Sequence, residues 1–213
     1  NYETLKDKLF IRPINYTDRK YDLKDAIYRQ IGDIALVLYI LISDTSEGKR
    51  HDVSSSKIHK LTAKAWPVSE DEAWEAALMN TYLMAPPRLY LNPMDTYNPP
   101  YQKGAFMALG SSMRKLTNMD MPLLTTTKQM NGAIAIFYPG VQEKLAELYE
   151  SDYYVAFTSV SEAHLHKVGT LSPLSILRNV KSVNKSMNGP TDILTRKLYI
   201  YKRESGKLEQ MEL

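Results

Sequence analysis

The sequence predicts an α+β fold, in which helices pack on a mixed, largely antiparallel sheet. Apolar runs typical of strands occur between segments of helical periodicity, without the regular β-α alternation of a doubly wound sheet. A composition of 44% hydrophobic and 24% charged residues is typical of a globular domain rather than a disordered chain. We expect one domain over residues 1–213, which could divide into two lobes at the Pro-rich stretch 86–100.

Three strands and a short helix are predicted in the first sixty residues. The apolar run from Asp33 to Ser43 indicates a strand buried on both faces, and a buried helix is the competing interpretation. The other elements are a strand over Leu9–Asn15, a short helix over Asp22–Gln30, a turn at Glu47-Gly48 and a weaker strand over Val53–Ile58.

A helix and a proline-rich segment follow. Ser69 and Glu72 have the spacing of a capping box, in which each side chain bonds the other residue's backbone N–H. The helix that starts there must end at Pro86-Pro87. Five of the 11 prolines lie in residues 86–100, which predicts extended or turned chain without a regular element. Helical periodicity returns over Ala105–Leu116.

The second half of the chain carries a hairpin signal at Asn131-Gly132, which predicts that Leu123–Lys128 and Ala133–Tyr138 pair as strands. Ser172-Pro173 is a typical helix start, and Gly189-Pro190 a typical end. The remaining predicted elements are a helix from Val141 to Tyr149, a strand over Tyr153–Thr158 and a last strand over Lys197–Arg203.

Composition excludes several classes of protein. The lack of cysteine excludes disulfides, thiolate nucleophiles, zinc–thiolate sites and iron–sulfur clusters, and it fits a reducing compartment. The longest apolar run, Ile34–Ile42, is about half the length of a membrane span. No leader peptide is visible, so we expect a cytoplasmic protein without a membrane partner. A net charge of +3 leaves nucleic acid open as a partner without arguing for it.

Glu162, His164 and His166 are the best metal-ligand candidates. Residues two apart on a strand point to the same face, and two histidines with a carboxylate are ligands that zinc accepts. The competing interpretation, which we favour, is a pair of ordinary surface histidines.

Other catalytic arrangements have weaker support. Asp33, Glu47 and Lys49 are the residue types of a metal-dependent nuclease, but Glu47-Gly48-Lys49 has the pattern of a turn rather than a rigid strand. Ser159 and Ser161 lie near His164 in sequence, which is poor evidence for a triad. Phosphate-binding, dinucleotide-binding and esterase motifs are absent, so the sequence assigns no catalytic residue and no cofactor.

Tyrosine is abundant, with 15 residues, and a cluster interleaves with the prolines. Such side chains could form a stacking and hydrogen-bonding surface for a protein partner or a single-stranded nucleic acid. Tyrosines that merely cover a sheet face are the alternative. The predicted partner surface consists of Arg88, Tyr90, Tyr97, Tyr101 and Lys103.

Several stretches resemble a bacterial family catalogued as domain of unknown function 5688. They are Asp7–Asn15, Tyr28–Ala35, Ala77–Thr81 and Asn131–Val141, continued by Tyr154, Ser159, Glu162 and Asn184. The resemblance implies a bacterial cytosolic protein and, because members carry an additional N-terminal segment, a chain without its native start. The segment Leu89–Met121 departs from the family pattern. The family defines no catalytic residues, so the resemblance assigns none.

Two functional hypotheses follow. The first is a non-enzymatic interaction or regulatory module that binds a protein partner. The alternative is a metal-assisted hydrolase or nuclease, which requires that acidic and histidine side chains converge. At least three of Asp33, Glu47, Glu162, His164 and His166 would then share one cleft.

Overall fold

The computed structural model describes residues 1–47, 50–96, 105–106, 113–187 and 189–213. Within these ranges the strands form two sheets in which every pairing is antiparallel, and helices pack against them. The α+β prediction is therefore confirmed. The strands are β1 Leu9–Asn15, β2 Tyr28–Ile31, β3 Ile34–Glu47, β4 Arg50–Lys57, β5 Pro87–Tyr90, β6 Ala105–Phe106, β7 Leu123–Thr126, β8 Tyr153–Ser159, β9 Glu162–Lys167, β10 Tyr199–Lys202 and β11 Lys207–Gln210.

The smaller sheet is organised by the long strand β3, as its apolar run predicts. Strand β1 pairs along one side of β3, and β2 and β4 lie end to end along the other side. Between β2 and β4 the backbones of Ile27, Leu38 and Ile58 close a ring of three hydrogen bonds, 2.9 to 3.2 Å long. All three side chains are buried, so this junction is part of the core.

The larger sheet has the strand order β11-β10-β8-β9-β7-β5-β6. Strands β8 and β9 form its central hairpin, which continues through β10 to β11 on one side and through β7 to β5 on the other. This order brings the C-terminal residues beside Tyr153–Ser159 and leaves β11 as an edge.

The helices are α1 Lys60–Ala63, α2 Glu70–Met84, α3 Val141–Tyr149 and α4 Pro173–Met187. The predicted capping box is present at the start of α2, where Ser69 Oγ accepts from the Glu72 N–H at 3.1 Å. Ser172 Oγ accepts from the Ser175 N–H at 3.2 Å, as expected of a residue before Pro173.

One hydrophobic cluster draws on both sheets. It combines the inward faces of β1, β3, β8, β9 and β10 with the buried sides of α2 and α3. A second cluster covers the outer face of the smaller sheet, and a third lies between β8 and α4. The prediction that Asp33–Ser43 forms a strand buried on both faces is confirmed over Ile34–Tyr39, where every side chain is buried.

The predicted helix over Asp22–Gln30 is wrong. Lys20–Leu23 forms one turn of 3-10 helix, and Tyr28–Ile31 is strand β2, which pairs with Ile34–Val37. The reason is tertiary: β3 offers an unpaired side, and Gly32, at φ +59°, permits the tight turn that returns the chain to it.

The predicted strand over Ala133–Tyr138 is also wrong. Asn131 does adopt positive φ, at 55°, but Gly132–Phe137 is a buried 3-10 helix. Strand β7 already pairs with β5 on one side and with β9 on the other. A hairpin partner for Leu123–Thr126 therefore has no free edge to occupy.

Three further boundaries differ from expectation. The Pro-rich stretch contains a regular strand, β5, which Pro87 can begin because the first residue needs no ladder donor. In the Ala105–Leu116 segment, Ala105–Phe106 is strand β6 and residues 113–116 form no helix, while residues 107–112 lie outside the described ranges. The strand predicted to be last is followed by β11, which pairs with it across a turn.

Candidate functional site

The outer edge of β1 is closed to further strands over its first half. Helix α2 supplies the missing hydrogen-bond partners, because the Ile11 N–H donates to Thr81 Oγ1 at 2.8 Å and Asn80 Nδ2 donates to the Leu9 carbonyl at 3.0 Å. Pro13 has no N–H to offer. Together these features prevent a second chain from extending the sheet at this edge.

Beyond α2, the same edge borders a cleft of about 380 Å³. We call it the β1 cleft. Its walls are Arg12–Asn15 of β1 and residues 18–19 on one side, and residues 130–131, 160–161 and 190–193 on the other. The cleft therefore brings together residues that are far apart in sequence.

Two residues that line the β1 cleft each carry a buried donor without a hydrogen-bond partner among the described residues: Arg12 Nε and Asn15 Nδ2. Asn15 is only 4% exposed, and its Oδ1 accepts from the Asp18 N–H at 2.7 Å. Arg12 donates from Nη1 to Ser55 Oγ at 3.3 Å and stacks its guanidinium over Tyr39, 4.9 Å from the ring centre. Leaving a buried donor unpaired costs about 1–3 kcal/mol. The Arg12 guanidinium lies over β3 and β4 rather than in the cleft, and both unpaired nitrogens are shielded from solvent.

The charges around the β1 cleft are mostly neutralised. Asp18 pairs with Arg196 at 2.6 Å, and Arg19 pairs with Asp22 at 2.8 Å. Asp192 is exposed to solvent, and its Oδ2 accepts from the Gly189 N–H at 3.1 Å. Arg12 is half-buried and forms no ion pair with any described residue.

A smaller apolar cavity, of about 80 Å³, adjoins the β1 cleft and shares Met130 and Asn131 with it. Its apolar walls are Phe10, Ile11, Leu41, Val53, Met84 and Ile134. The Lys128–Asp44 ion pair, 3.4 Å long, also belongs to its lining. Since Phe10 and Ile11 directly precede Arg12, the cavity and the cleft follow one another along β1.

The three predicted metal-ligand residues share one face of β9. Ala163 and Leu165 belong to the inner core, so Glu162, His164 and His166 point to the outer face, which α4 covers. His164 Nε2 lies 3.7 Å from Glu162 Oε1, and Glu162 also accepts from Thr158 Oγ1 at 2.8 Å. Among the described residues no group of three histidine, aspartate or glutamate side chains is placed to hold a metal ion.

Burial, and then the neighbouring His164, lower the pKa of His166 to about 4. For Glu162 burial acts to raise the pKa, but the neighbouring His164 and the hydrogen bond from Thr158 outweigh it and leave the pKa below its usual value. His166 is therefore a neutral core histidine at neutral pH.

The two carboxylates of the nuclease hypothesis lie far apart. Asp33 immediately precedes β3, and Glu47 is the last residue of this 14-residue strand. An extended strand rises about 3.3 Å per residue, which separates the two by roughly 45 Å. Asp33 Oδ1 is already within hydrogen-bond distance of Thr195 Oγ1, at 2.7 Å, and of Tyr199 Oη, at 2.8 Å. Lys49 lies outside the described residues.

The predicted partner surface is described only in part. Tyr97, Tyr101 and Lys103 lie outside the described ranges. Arg88 is half-buried on β5 and donates from Nη1 to the Pro87 carbonyl at 3.0 Å. Tyr90 is 1% exposed, so its ring packs in the interior and is not presented to a partner. A surface formed by the remaining residues stays a prediction.

Sequence reasoning missed Arg12 and Asn15. Two features of the sequence point to this part of β1. The first is Pro13, which lies between Arg12 and Asn15, because a proline inside a strand marks an edge strand. The second is the Asn15-Tyr16-Thr17 triplet, which has the pattern of a glycosylation site. In the fold, however, Asn15 is buried and its Oδ1 accepts from the Asp18 N–H. Neither signal reveals the opposite wall of the cleft.

Comparison with known proteins identifies the family of the chain. Residues 1–203 of 213 match the sequence profile of DUF5688, a family of unknown function. The chain belongs to this family. The match confirms the resemblance found in the sequence, and the DUF5688 region contains both walls of the β1 cleft. No curated protein and no solved structure matches the chain. Across the described residues, no helix is long and apolar enough to cross a membrane.

Proposed function

We propose that this DUF5688 chain is a non-enzymatic interaction module of the bacterial cytoplasm, and that the β1 cleft binds an extended segment of a protein partner. The observation that carries the proposal is the β1 cleft itself, about 380 Å³ in volume, in which the edge of β1 faces residues from three distant segments of the chain. The lack of cysteine supports the reducing compartment.

A polypeptide backbone has the polarity that the β1 cleft requires. Its N–H groups can donate to the exposed carboxylate of Asp192, and its carbonyl groups can accept from the exposed hydroxyl of Thr191. Strand addition, in which a peptide extends a sheet, is disfavoured at this edge by Pro13 and by the α2 side chains that bond β1. The partner segment is therefore held by side chains in a cleft.

The alternative, a metal-assisted hydrolase or nuclease, has no comparable support. Its required convergence is not found in the described part of the chain, because Asp33 bonds Tyr199 and Thr195 while Glu162 and His164 pair on β9.

Phage display of random seven-residue peptides tests the proposal directly. The folded wild-type protein is the bait, beside a Thr191→Trp variant that places an indole in the mouth of the β1 cleft. Thr191 is exposed, so the substitution should leave the core intact. Ser205→Trp, at an exposed turn remote in sequence from the cleft, is the matched control.

We expect a sequence consensus to be enriched on the wild type and on Ser205→Trp, and to be lost on Thr191→Trp. Absence of any consensus, or a consensus that Thr191→Trp leaves unchanged, would refute binding at the β1 cleft.

A further inference from the structure

The exposed face of α4 is basic. Arg178, Lys181 and Lys185 are exposed and follow one another at spacings of three and four residues, so they lie along one side of the helix. We call them the α4 stripe. No acidic residue occurs anywhere in residues 168–191. With histidine neutral the chain has a net charge of +3, so outside the α4 stripe basic and acidic residues are equal in number.

The α4 stripe is not neutralised by the protein. None of its three side chains forms an ion pair with any described residue. On the sheet face that α4 covers, Glu209 already pairs with Lys202 at 2.8 Å. The helix dipole favours cations only in the last turn, which accounts for Lys185 and not for Arg178 or Lys181. Like charges at this spacing repel, so a bound polyanion would relieve the repulsion.

The opposite side of α4 is committed to the core. Ile176 and Val180 are buried and pack with Tyr154 and Ala156 of β8. A helix that lies on a membrane needs its apolar side for the lipid, whereas α4 has already buried that side in protein. Leu174, in the first turn, is exposed, but a single leucine is a weak membrane anchor. The partner of α4 therefore meets its polar side, which favours nucleic acid over lipid.

The dimensions and side chains of this face suit a DNA duplex. The α4 stripe rises about 10 Å from Arg178 to Lys185. An α-helix is about 10–12 Å wide and the major groove of B-form DNA about 12 Å, whereas the major groove of duplex RNA is too narrow for side chains to read. Asn179 and Ser182 are exposed beside the stripe, and amide and hydroxyl groups also donate to phosphate oxygens.

Single-stranded nucleic acid fits this face less well. Binding of single strands relies on aromatic side chains on which the bases stack. Residues 173–187 include no Phe, Tyr or Trp. The contacts that α4 offers are therefore contacts to phosphates, which carry no sequence information.

We infer that the α4 stripe binds the phosphate backbone of double-stranded DNA, independently of its sequence. Arg178, Lys181 and Lys185 contact phosphates, and Asn179 and Ser182 add neutral hydrogen bonds. This surface is additional to the β1 cleft and does not depend on what the cleft binds.

Fluorescence anisotropy with a labelled DNA duplex of mixed sequence, about two helical turns long, tests the inference. Three phosphate contacts predict that the logarithm of the binding constant falls with the logarithm of salt concentration at a slope of about −2.7. The affinity of the wild type should therefore fall roughly 40-fold between 0.05 and 0.2 M salt.

Two triple variants, each of which lowers the net charge by three, locate the contact. Replacing the α4 stripe by glutamine should weaken binding at least about tenfold at 0.05 M salt and remove most of the slope. The matched control replaces three exposed lysines that form no ion pair with a described residue, and it should bind as the wild type does: Lys8→Gln, Lys20→Gln and Lys24→Gln. If the stripe variant does not fold, Lys181→Gln alone should reduce the slope by about one.

Several outcomes would overturn the inference. Equal losses in the two triple variants would assign binding to net charge and not to α4. Tighter binding of a single strand, or of an RNA duplex of the same sequence, would contradict the assignment to duplex DNA. Binding of phosphatidylserine vesicles without binding of DNA would make α4 a membrane contact. No binding of the duplex by the wild type at 0.05 M salt would leave the stripe an ordinary solvated helix face.

Discussion

The hydroxyl oxygen of Tyr199 lies 2.8 Å from Oδ1 of Asp33 and links the two sheets. Tyr199 belongs to β10 of the larger sheet, and Asp33 lies in the turn between β2 and β3 of the smaller one. The same oxygen is 2.9 Å from the Ile31 carbonyl and accepts from the Asp33 N–H at 3.1 Å. Burial, and then the Asp33 carboxylate, raise the pKa of Tyr199, so its hydroxyl stays protonated as a donor.

Removing this hydroxyl should destabilise the fold. Tyr199→Phe leaves the Asp33 N–H with one acceptor fewer and the Asp33 carboxylate with one donor fewer in a partly buried site. We expect the free energy of unfolding to fall by about 1–3 kcal/mol, measured by urea denaturation. Tyr21→Phe is the control, since Tyr21 is 96% exposed and its hydroxyl stays in water. Equal, small effects of both substitutions would show that the link contributes nothing.

The turn at Gly32 should tolerate no side chain. A Cβ at Gly32 would lie 2.6 Å from both Tyr199 Oη and Gln210 Oε1, and φ is +59°. Gly206 has a similar φ, +63°, but its nearest neighbour would be 3.9 Å away. Gly206→Ala should therefore cost only the backbone strain, about 1–2 kcal/mol. Gly32→Ala should cost at least about 2 kcal/mol more, because it also displaces the Tyr199 hydroxyl. Equal losses for the two variants in urea denaturation would contradict this.

The elements predicted correctly from sequence are those that local chemistry determines. The start of α2 is set by Ser69 and Glu72, three residues apart, whose reciprocal bonds require nothing from the rest of the chain. Strand β1 matches its predicted bounds because alternate residues bury on two faces. The other elements depend on the strands around them. Ala133–Tyr138 has the residues of a strand, but β7 is already paired on both sides and offers no free edge.

The candidate site could not be predicted because its residues are ordinary in isolation. Arg12 and Asn15 become candidates because they line one cleft together with residues 190–193, which are about 175 positions away in the chain. Asp33 illustrates the opposite case. It has the chemistry of a metal ligand, but the fold directs its carboxylate to Thr195 and Tyr199.

His166 should make the protein less stable in weak acid. Its pKa in the folded state is about 4, below the ordinary value of about 6.5 that applies when unfolded. Above that ordinary value both states are neutral and His166 has no effect. As the pH falls toward 4, His166 binds a proton in the unfolded state but not in the folded state. The free energy of unfolding therefore falls by up to about 3 kcal/mol.

His166→Gln should remove this contribution and flatten the decline in stability between about pH 6.5 and 4.5. Urea denaturation at intervals across that range measures it. His59→Gln, at an exposed histidine, should leave the decline as steep as in the wild type. A decline in His166→Gln as steep as that of the wild type would show that His166 is protonated in the fold.

Thr81 should protect the edge of β1 through its hydroxyl rather than its bulk. Thr81 Oγ1 accepts from the Ile11 N–H at 2.8 Å and donates to the Ala77 carbonyl at 2.6 Å, and Thr81 is buried. Thr81→Val keeps the shape but leaves the Ile11 N–H unpaired, so we expect a loss of about 1–3 kcal/mol and faster hydrogen exchange at the Ile11 amide. Thr81→Ser keeps the hydroxyl and loses a methyl group, so the Ile11 amide should stay protected in that variant.

Since an unpaired N–H at a sheet edge also promotes strand pairing between molecules, Thr81→Val should self-associate at high concentration, which sedimentation velocity would detect. An Ile11 amide that exchanges equally slowly in both variants would mean that another group, and not Thr81, closes this edge.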